Sequence, residues 1–191
     1  YRDRSIYLGD SDFIDVPPYL TDPDYGRRLS ADIDNHVAGI STLPGTAEVD
    51  GENPTHFSII DGNGNRVAAT LSVNYPFGSC FVAAGTGVLL NDEMDDFSAK
   101  PGTANAYGLI GNGANAIAPG KRMLSSMSPT FVEGPERVAI LGTPGGSRII
   151  TMVLLSLLDA VDGRPVSEWV ARGRFHHQYL PDRIEVEPGA L

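Results

Sequence analysis

Apolar and polar side chains alternate over two short runs in the middle of the chain, and a polar turn separates the runs. Residues 56–61 form the first run, Gly-Asn-Gly-Asn follows at 62–65, and residues 66–73 form the second run. Two such runs joined by a glycine-containing turn are typical of an antiparallel β-hairpin. Shorter runs of the same kind predict further strands at residues 80–83, 87–90, 130–133, 137–141 and 183–187.

Helical signals are strongest in the last third of the chain. Residues 148–160 are apolar on nearly every side, and Ser147 is suited to capping the first turn, so we predict a buried helix there. A shorter helix is predicted at residues 165–171. Several antiparallel strands together with a buried helix predict an α+β fold.

The first part of the chain is less regular. Asp22 and Pro23 are suited to the N-cap and the first position of a short helix that extends to about Asp34. Residues 1–20 show no period and are predicted to be irregular. Residues 37–53 are rich in glycine, proline and small side chains, and we predict a mobile linker there.

Charge and composition exclude some classes of protein. The chain has 14 basic and 24 acidic side chains, a net charge of −10, which argues against a general nucleic-acid binder because phosphate backbones attract basic surfaces. Cys80 is the only cysteine, so no disulfide can form within the chain. The longest apolar stretch, residues 149–161, is too short to cross a bilayer. No leader sequence is visible and no initiating Met is present, so we expect a processed product or a fragment.

A glycine-rich string, Gly-Thr-Pro-Gly-Gly-Ser at residues 142–147, lies between a predicted strand and the buried helix. Adjacent glycines there let backbone N–H groups converge at a helix N-terminus, where an anion or an oxyanion is stabilised. The alternative is a tight strand-to-helix turn that binds nothing.

Three further groups of polar side chains are candidates for binding. Residues 91–97 contain four carboxylates, which suit an ammonium group or a solvated turn; their spacing is unlike a calcium loop, and we expect no metal. The hydroxyls of residues 125–128 suit a turn or the carboxylate of a ligand. His176 and His177 are adjacent in a predicted extended segment, so they point to opposite faces, which argues against a shared metal ion.

Six strings along the chain are more specific together than any of them alone. They are Thr-His-Phe-Ser at 55–58, Phe-Gly-Ser at 77–79, Met-Asp-Asp-Phe-Ser-Ala-Lys-Pro-Gly at 94–102, Lys-Arg-Met-Leu-Ser-Ser-Met-Ser-Pro at 121–129, Pro-Gly-Gly-Ser-Arg-Ile-Ile at 144–150 and Arg-Phe-His-His-Gln at 174–178. Their order resembles that of the γ-glutamyltransferases, or glutathione hydrolases. The match is dense over residues 54–191, and Asp-Arg-Ser at 3–5 and Tyr-Leu-Gly-Asp at 7–10 resemble the end of that family's large subunit.

The resemblance implies an N-terminal-nucleophile hydrolase fold, a four-layer αββα sandwich, of which this chain is the small-subunit portion. Members of the family cleave themselves into two subunits, and the new N-terminal Thr attacks the γ-glutamyl amide of glutathione and related compounds. The glutamyl group then passes to water, an amino acid or a peptide, and no cofactor is implied. The implied partner is the large-subunit portion of the same precursor, and the implied compartment is periplasmic or secreted.

The resemblance also implies roles for individual residues. It assigns the oxyanion hole to the amides of Gly145 and Gly146, and it assigns the support of the nucleophile to Ser72. Hydroxyls would bind the α-carboxylate of the glutamyl group, whereas acids and one amide would bind its α-ammonium group. The residues with these two roles are Ser125 and Ser126 for the carboxylate, and Asn74, Glu93 and Asp96 for the ammonium group.

The start of the small-subunit region departs from the family pattern. The family begins with Thr, a small residue, His, an aromatic or aliphatic residue and Ser, so alignment on His56 and Ser58 brings Pro54 to the nucleophile position. Proline has no hydroxyl and cannot form an acyl-enzyme. Thr55 could serve only if the strand slipped by one residue, which would turn its side chain to the other face.

We therefore expect three segments: residues 1–36 as the tail of the large subunit, 37–53 as a linker ahead of the processing site, and 54–191 as a small-subunit region that ends before the family's last strands. The expected function is transfer or hydrolysis of the γ-glutamyl group through an N-terminal Thr, with Pro54 as the departure. One alternative is an uncleaved, non-catalytic homologue or fragment that binds γ-glutamyl compounds. The other is a related acylase that acts on a different amide.

Overall fold

The computed structural model describes residues 1–41, 55–135 and 137–190, and the chain divides into two compact units. Unit 1 comprises Tyr1–Glu48, Met94–Leu124 and Gln178–Arg183, and unit 2 comprises Val49–Glu93, Ser125–His177 and Ile184–Leu191. Pro54 and most of the predicted linker, residues 42–53, lie outside the described residues.

Unit 1 begins with two helices, α1 at Arg2–Tyr7 and α2 at Pro23–Ala31. The prediction of α2 is confirmed: Asp22 is its N-cap and accepts the backbone N–H of Asp24 at 2.7 Å. Such a cap satisfies an amide that has no partner inside the helix.

The prediction that residues 1–20 are irregular is wrong, because α1 and a 3-10 turn at Pro18–Thr21 form there. Aromatic contacts hold this region together. The ring of Tyr19 meets Tyr7 edge-on at 6.3 Å and Tyr25 at 5.0 Å between centroids, and the Tyr25 hydroxyl donates to Asp3. Contacts between residues this far apart in the chain leave no local period in the sequence.

The rest of unit 1 is built mainly from turns. Its buried apolar side chains include Phe97, Leu109, Ile110 and Leu180, and 3-10 turns occur at Glu93–Asp96, on the border with unit 2, and at Gly113–Asn115. With few regular elements, most backbone amides and carbonyls in such a unit must be satisfied by turns and side chains.

Unit 2 contains the predicted hairpin, with β1 at Thr55–Ile60 and β2 at Arg66–Leu71, and the prediction is confirmed. The pairs run from Thr55 opposite Leu71 to Ile60 opposite Arg66. Asp61 organises the turn, because its side chain accepts the backbone N–H groups of Asn63 and Asn65 and the side-chain amide of Asn65.

Two more two-stranded antiparallel sheets belong to unit 2. The predicted strands at 130–133 and 137–141 form as β3 at Thr130–Glu133 and β4 at Val138–Leu141, which pair with each other. The strand β5 at Phe175–His176 pairs with β6 at Glu185–Val186. The predicted strand at 183–187 is therefore shortened to two residues.

The predicted strands at residues 80–83 and 87–90 are wrong. One antiparallel bridge, Val82 to Leu89, forms between these segments. Cys80, Gly85 and Gly87 have positive φ values of 56°, 75° and 72°, and a left-handed residue interrupts the extended backbone that a strand requires.

The long helix α3 extends over Ile149–Val161, and a 3-10 turn at Gly146–Arg148 precedes it. Ser147 does not cap α3, because the N-cap is Arg148 and no side chain bonds there. Ile149 is 1% exposed, whereas Leu154 is 50% exposed, so in this chain the helix is buried on one side and open on another.

A shorter helix, α4 at Val166–Trp169, follows α3 and matches the predicted helix at 165–171. Trp169 is buried, and its indole N–H donates to the carbonyl of Arg164 at 2.9 Å. Within the described residues, no helix is both long enough and apolar enough to cross a membrane.

Candidate active site

In unit 2 the hairpin meets the glycine-rich string through His56. A Cβ atom at Gly142 would overlap the His56 ring, so glycine allows this close approach. His56 Nδ1 lies 2.8 Å from Thr70 Oγ1, and Nε2 lies 3.2 Å from Ser58 Oγ. These contacts fix the start of β1 against the loop that leads to α3.

The predicted oxyanion residues Gly145 and Gly146 form the turn between β4 and α3. Their φ values are 137° and 55°, in a region that side chains with a Cβ rarely adopt. A Cβ at Gly145 would come 2.8 Å from the terminal methyl group of Met152. Gly146 begins the 3-10 turn ahead of the 13-residue α3, and the partial positive charge at a helix N-terminus favours an anion there.

Ser72 and Asn74 are brought together directly after β2. The backbone N–H of Asn74 donates to Ser72 Oγ at 2.8 Å, and Asn74 is buried in a left-handed conformation with φ of 70°. The Asn74 side chain donates to the Asp92 carbonyl at 3.4 Å, and the Tyr75 N–H donates to the Asp92 carboxylate at 3.1 Å. Asp92 thereby ties two predicted site residues to the segment that contains Glu93.

Glu93 and Asp96 begin and end one 3-10 turn. The Glu93 N–H donates to Asn91 Oδ1 at 3.0 Å, and the Asp96 carbonyl accepts the side-chain amide of Asn115 at 2.7 Å. Glu93 belongs to unit 2 and Asp96 to unit 1. Both ends of the turn are thus fixed by asparagine side chains.

Ser125 and Ser126 form a hydroxyl turn in unit 2. Ser125 Oγ accepts the N–H of Met127 at 3.0 Å, and the Ser126 carbonyl accepts the Ser128 hydroxyl at 3.1 Å. Ser125 is exposed. The hydroxyls of Ser125 and Ser128 thus build the turn, and the exposed Ser125 is also accessible to a ligand.

Thr55 is the first residue of β1 and is exposed. It pairs with Leu71, one position away from the pair of His56 and Thr70. Because side chains alternate along a strand, Thr55 lies on the face opposite to His56 and hence opposite to the glycine loop.

Unit 1 contains a small pocket with a volume of about 120 Å³. Arg4, Asp95, Asp96 and Ser98 contribute charged and polar groups to its wall. Burial lowers the pKa of the Arg4 guanidinium, while the nearby Asp96 carboxylate opposes that shift. Arginine nevertheless stays protonated at neutral pH, so this wall places a half-buried cation near the predicted ammonium ligand Asp96.

The two adjacent histidines have different surroundings in unit 2. His176 is buried, and its Nδ1 lies 2.9 Å from the Thr151 hydroxyl on α3. In the part of the chain that the structure describes, no group of three or more His, Cys, Asp or Glu side chains could hold a metal ion.

The sequence interpretation missed Asn115, and it included Asp92 only as one carboxylate of the cluster at residues 91–97, without its role in holding Asn74 and Tyr75. Both lie in turns, where Asp and Asn are common because their side chains bond the nearby backbone. Their residue types therefore indicate only a turn. Their long-range bonds could not be read from any spacing.

The whole chain, residues 1–191, matches the family model for gamma-glutamyltranspeptidase. A glutathione hydrolase proenzyme of Pseudomonas sp. (strain A14) is 50% identical over 196 residues, which cover 100% of the chain and 34% of the relative. The glutathione hydrolase proenzyme of Escherichia coli (strain K12) is 48% identical and is covered to the same 34%, with 99% of the chain aligned. The chain thus spans about a third of the length of these relatives.

Solved structures agree with the sequence relatives. A gamma-glutamyltranspeptidase T380A mutant of Helicobacter pylori superposes with a TM-score of 0.67 at 49% identity, over 71% of this chain and 74% of that one. The W525D mutant of the Pseudomonas nitroreducens gamma-glutamyltranspeptidase superposes with a TM-score of 0.66 at 55% identity. This match covers 71% of this chain and 72% of that one. The predicted α+β fold of the N-terminal-nucleophile hydrolases is confirmed, and the chain belongs to the gamma-glutamyltranspeptidase family.

Proposed function

We propose that the protein containing this chain binds γ-glutamyl compounds such as glutathione in a site built for γ-glutamyl transfer to water, an amino acid or a peptide. We further propose that Pro54 prevents this sequence from carrying the reaction out. The family supplies the substrate class, and the arrangement of the hairpin and the glycine loop supports the restriction.

The proposed roles follow the charge of the substrate. A glutamyl headgroup is a zwitterion, so carboxylates suit its ammonium group and hydroxyls suit its α-carboxylate. We assign the amides of Gly145 and Gly146 to the oxyanion, in keeping with their place ahead of α3. The headgroup is assigned to Asn74, Glu93, Asp96, Ser125 and Ser126, and support of the reacting hydroxyl to Ser72.

The register of β1 carries the proposal about Pro54. Thr55 pairs with Leu71 and is exposed, whereas His56 bonds Thr70 and contacts Gly142. A slip that turned Thr55 toward the glycine loop would turn His56 away from Gly142 and break these contacts. This register favours position 54 over position 55 for the nucleophile.

The chemistry of position 54 then limits the reaction. Acyl transfer needs a hydroxyl oxygen that attacks the amide carbon, while its proton passes to a base and the amine departs. Pro54 supplies neither this oxygen nor the ester through which self-cleavage proceeds. We therefore expect the protein to bind its ligand and to stay intact between Asn53 and Thr55.

The proposed partner is the large-subunit portion of the same precursor. Phe57, Ile59 and Leu71 share the hairpin face of Thr55 and are 38%, 50% and 61% exposed. A face with this much exposed apolar surface is typical of one that another layer covers.

Intact-mass spectrometry of the full-length protein after long incubation tests the restriction. We expect one undivided mass and negligible hydrolysis of a γ-glutamyl anilide. Pro54→Thr should produce cleavage before residue 54 and measurable hydrolysis, because it supplies the missing hydroxyl.

Thr55→Ala is the matched control. Introduced into the original protein or into the Pro54→Thr variant, it should change neither the cleavage nor the hydrolysis of the anilide. A fragment that begins at Thr55, together with activity that Thr55→Ala abolishes, would overturn the proposal. Calorimetry with L-glutamate tests binding separately, and no detectable binding to the full-length protein would exclude the pocket itself.

A further inference from the structure

Asn115 connects two backbone segments of unit 1, one of which contains the proposed ligand Asp96. It is 7% exposed and ends the 3-10 turn at Gly113–Asn115. Its side-chain N–H donates to the Asp96 carbonyl at 2.7 Å, and its Oδ1 accepts the Leu124 N–H at 3.0 Å. One buried amide therefore joins the backbones of Asp96 and Leu124.

The two partners of Asn115 have particular places in the sequence. Asp96 is the proposed ligand of the substrate's ammonium group, and Leu124 directly precedes the hydroxyl pair Ser125 and Ser126. We infer that Asn115 is a positioning residue that holds the backbone of Asp96 against that of Leu124, and so fixes the place of the proposed ammonium ligand. This inference rests on the proposed function.

The backbone of Asn115 strengthens the connection. Its carbonyl accepts the N–H of Ser98 at 2.9 Å, so the segment after Asp96 is held as well. Both polar ends of a buried amide are satisfied here, and removing one leaves a buried group without its partner, which favours a shift of the backbone. A shift of the backbone at Asp96 would misplace the carboxylate that is proposed to bind the ammonium group.

A neighbouring asparagine offers a matched control. Asn112 caps the same 3-10 turn: its Oδ1 accepts the N–H of Ala114 at 2.9 Å, and its side-chain N–H donates to the Ile6 carbonyl at 2.8 Å. Asn→Asp at either position keeps the acceptor and replaces the donor with a carboxylate oxygen. Only the change at residue 115 acts on Asp96.

The test is titration calorimetry with L-glutamate on the full-length protein and on its Asn115→Asp and Asn112→Asp variants. We expect Asn115→Asp to raise the Kd about tenfold or more, because small displacements of binding groups cost affinity steeply. The binding stoichiometry should remain one per chain. Asn112→Asp should stay within about twofold of the original Kd, because its partners lie outside the ligand segments.

Stoichiometry separates positioning from general damage. A purely structural role would lower the number of competent sites and the melting temperature while the remaining sites kept their Kd. Should Asn115→Asp not fold, Asn115→Ala, which removes both bonds without adding charge, is measured in the same way. An unchanged Kd in the folded variant, or equal losses at residues 112 and 115, overturns the inference, whereas failure of the original protein to bind L-glutamate overturns the proposed function instead.

Discussion

The glycine loop of unit 2 and Asp96 of unit 1 are held in place by different means. In unit 2, strand ladders and the core around α3 carry the hairpin and the glycine loop, and Ile149 is 1% exposed at the start of that helix. In unit 1, single side chains hold distant backbone segments in place by hydrogen bonds. The Asn115 side chain, for example, bonds the backbones of Asp96 and Leu124. Unit 2 should therefore respond most to lost packing and unit 1 to lost polar contacts.

The largest effect is expected from Ile149→Ala in unit 2. Removal of a fully buried side chain should lower the free energy of unfolding by about 2–5 kcal/mol, because transfer energy and packing are both lost. Denaturant unfolding measures the loss in the free energy of unfolding, and hydrogen exchange by mass spectrometry shows which unit loses protection. Ile149→Val is the graded control, with a loss of about 0.5–1.5 kcal/mol. Equal loss of protection in peptides from both units would contradict the comparison.

A smaller effect is expected from Gly145→Ala in the loop before α3. The residue has φ of 137°, and its new Cβ would lie 2.8 Å from Met152, so the variant should lose about 1–3 kcal/mol of stability. Gly26→Ala in α2 is the matched control, since nothing lies within 4 Å of its added Cβ. That change should stabilise the helix by about 0.5–1 kcal/mol. If both substitutions changed the stability in the same direction, backbone conformation would not explain the effect at Gly145.

The smallest effect concerns the acid sensitivity of unit 1. The Arg122 guanidinium bonds the Asp10 carboxylate at 2.6 Å and holds the pKa of Asp10 well below its usual range. Because the pKa is lower in the folded chain, the pair stabilises unit 1 fully above the unfolded pKa of about 4. That contribution is lost as the pH falls through the lowered folded value.

Melting temperatures between pH 7 and pH 2 measure this contribution. Asp10→Asn should flatten the decline below pH 4, because the titrating group is gone. Asp12→Asn is the control, since Asp12 also bonds Arg122 but is exposed. An identical acid profile in Asp10→Asn and the original protein would show that the pair does not contribute.

Elements with a local code were predictable from the sequence. Asp22 with Pro23 encodes the start of α2, and glycines at 62 and 64 between two apolar runs encode the hairpin. Each signal lies within a few residues of the structure it specifies. The strings that indicate the family are likewise contiguous, which is why the sequence alone predicts the fold class.

Failures of the sequence interpretation share a physical cause. The Val82 and Leu89 segments have suitable side chains for strands, yet left-handed backbone around them limits pairing to one bridge. α1 lies in a stretch without any helical period, and its Tyr7 ring contacts Tyr19. Apolar pattern and propensity describe neighbours in sequence, whereas these outcomes depend on neighbours in space.

The sequence by itself determined the hairpin, the long helix, the family and the chemical types of the proposed ligands. Only the tertiary structure decided that His56 meets Gly142 and that Asn115 joins Asp96 to Leu124, across 19 and 9 positions of chain. Asparagine is equally suited to an exposed turn and to a buried bond between backbones. Packing decides between them, because a buried amide must satisfy both of its polar ends and takes whichever partners the fold brings near.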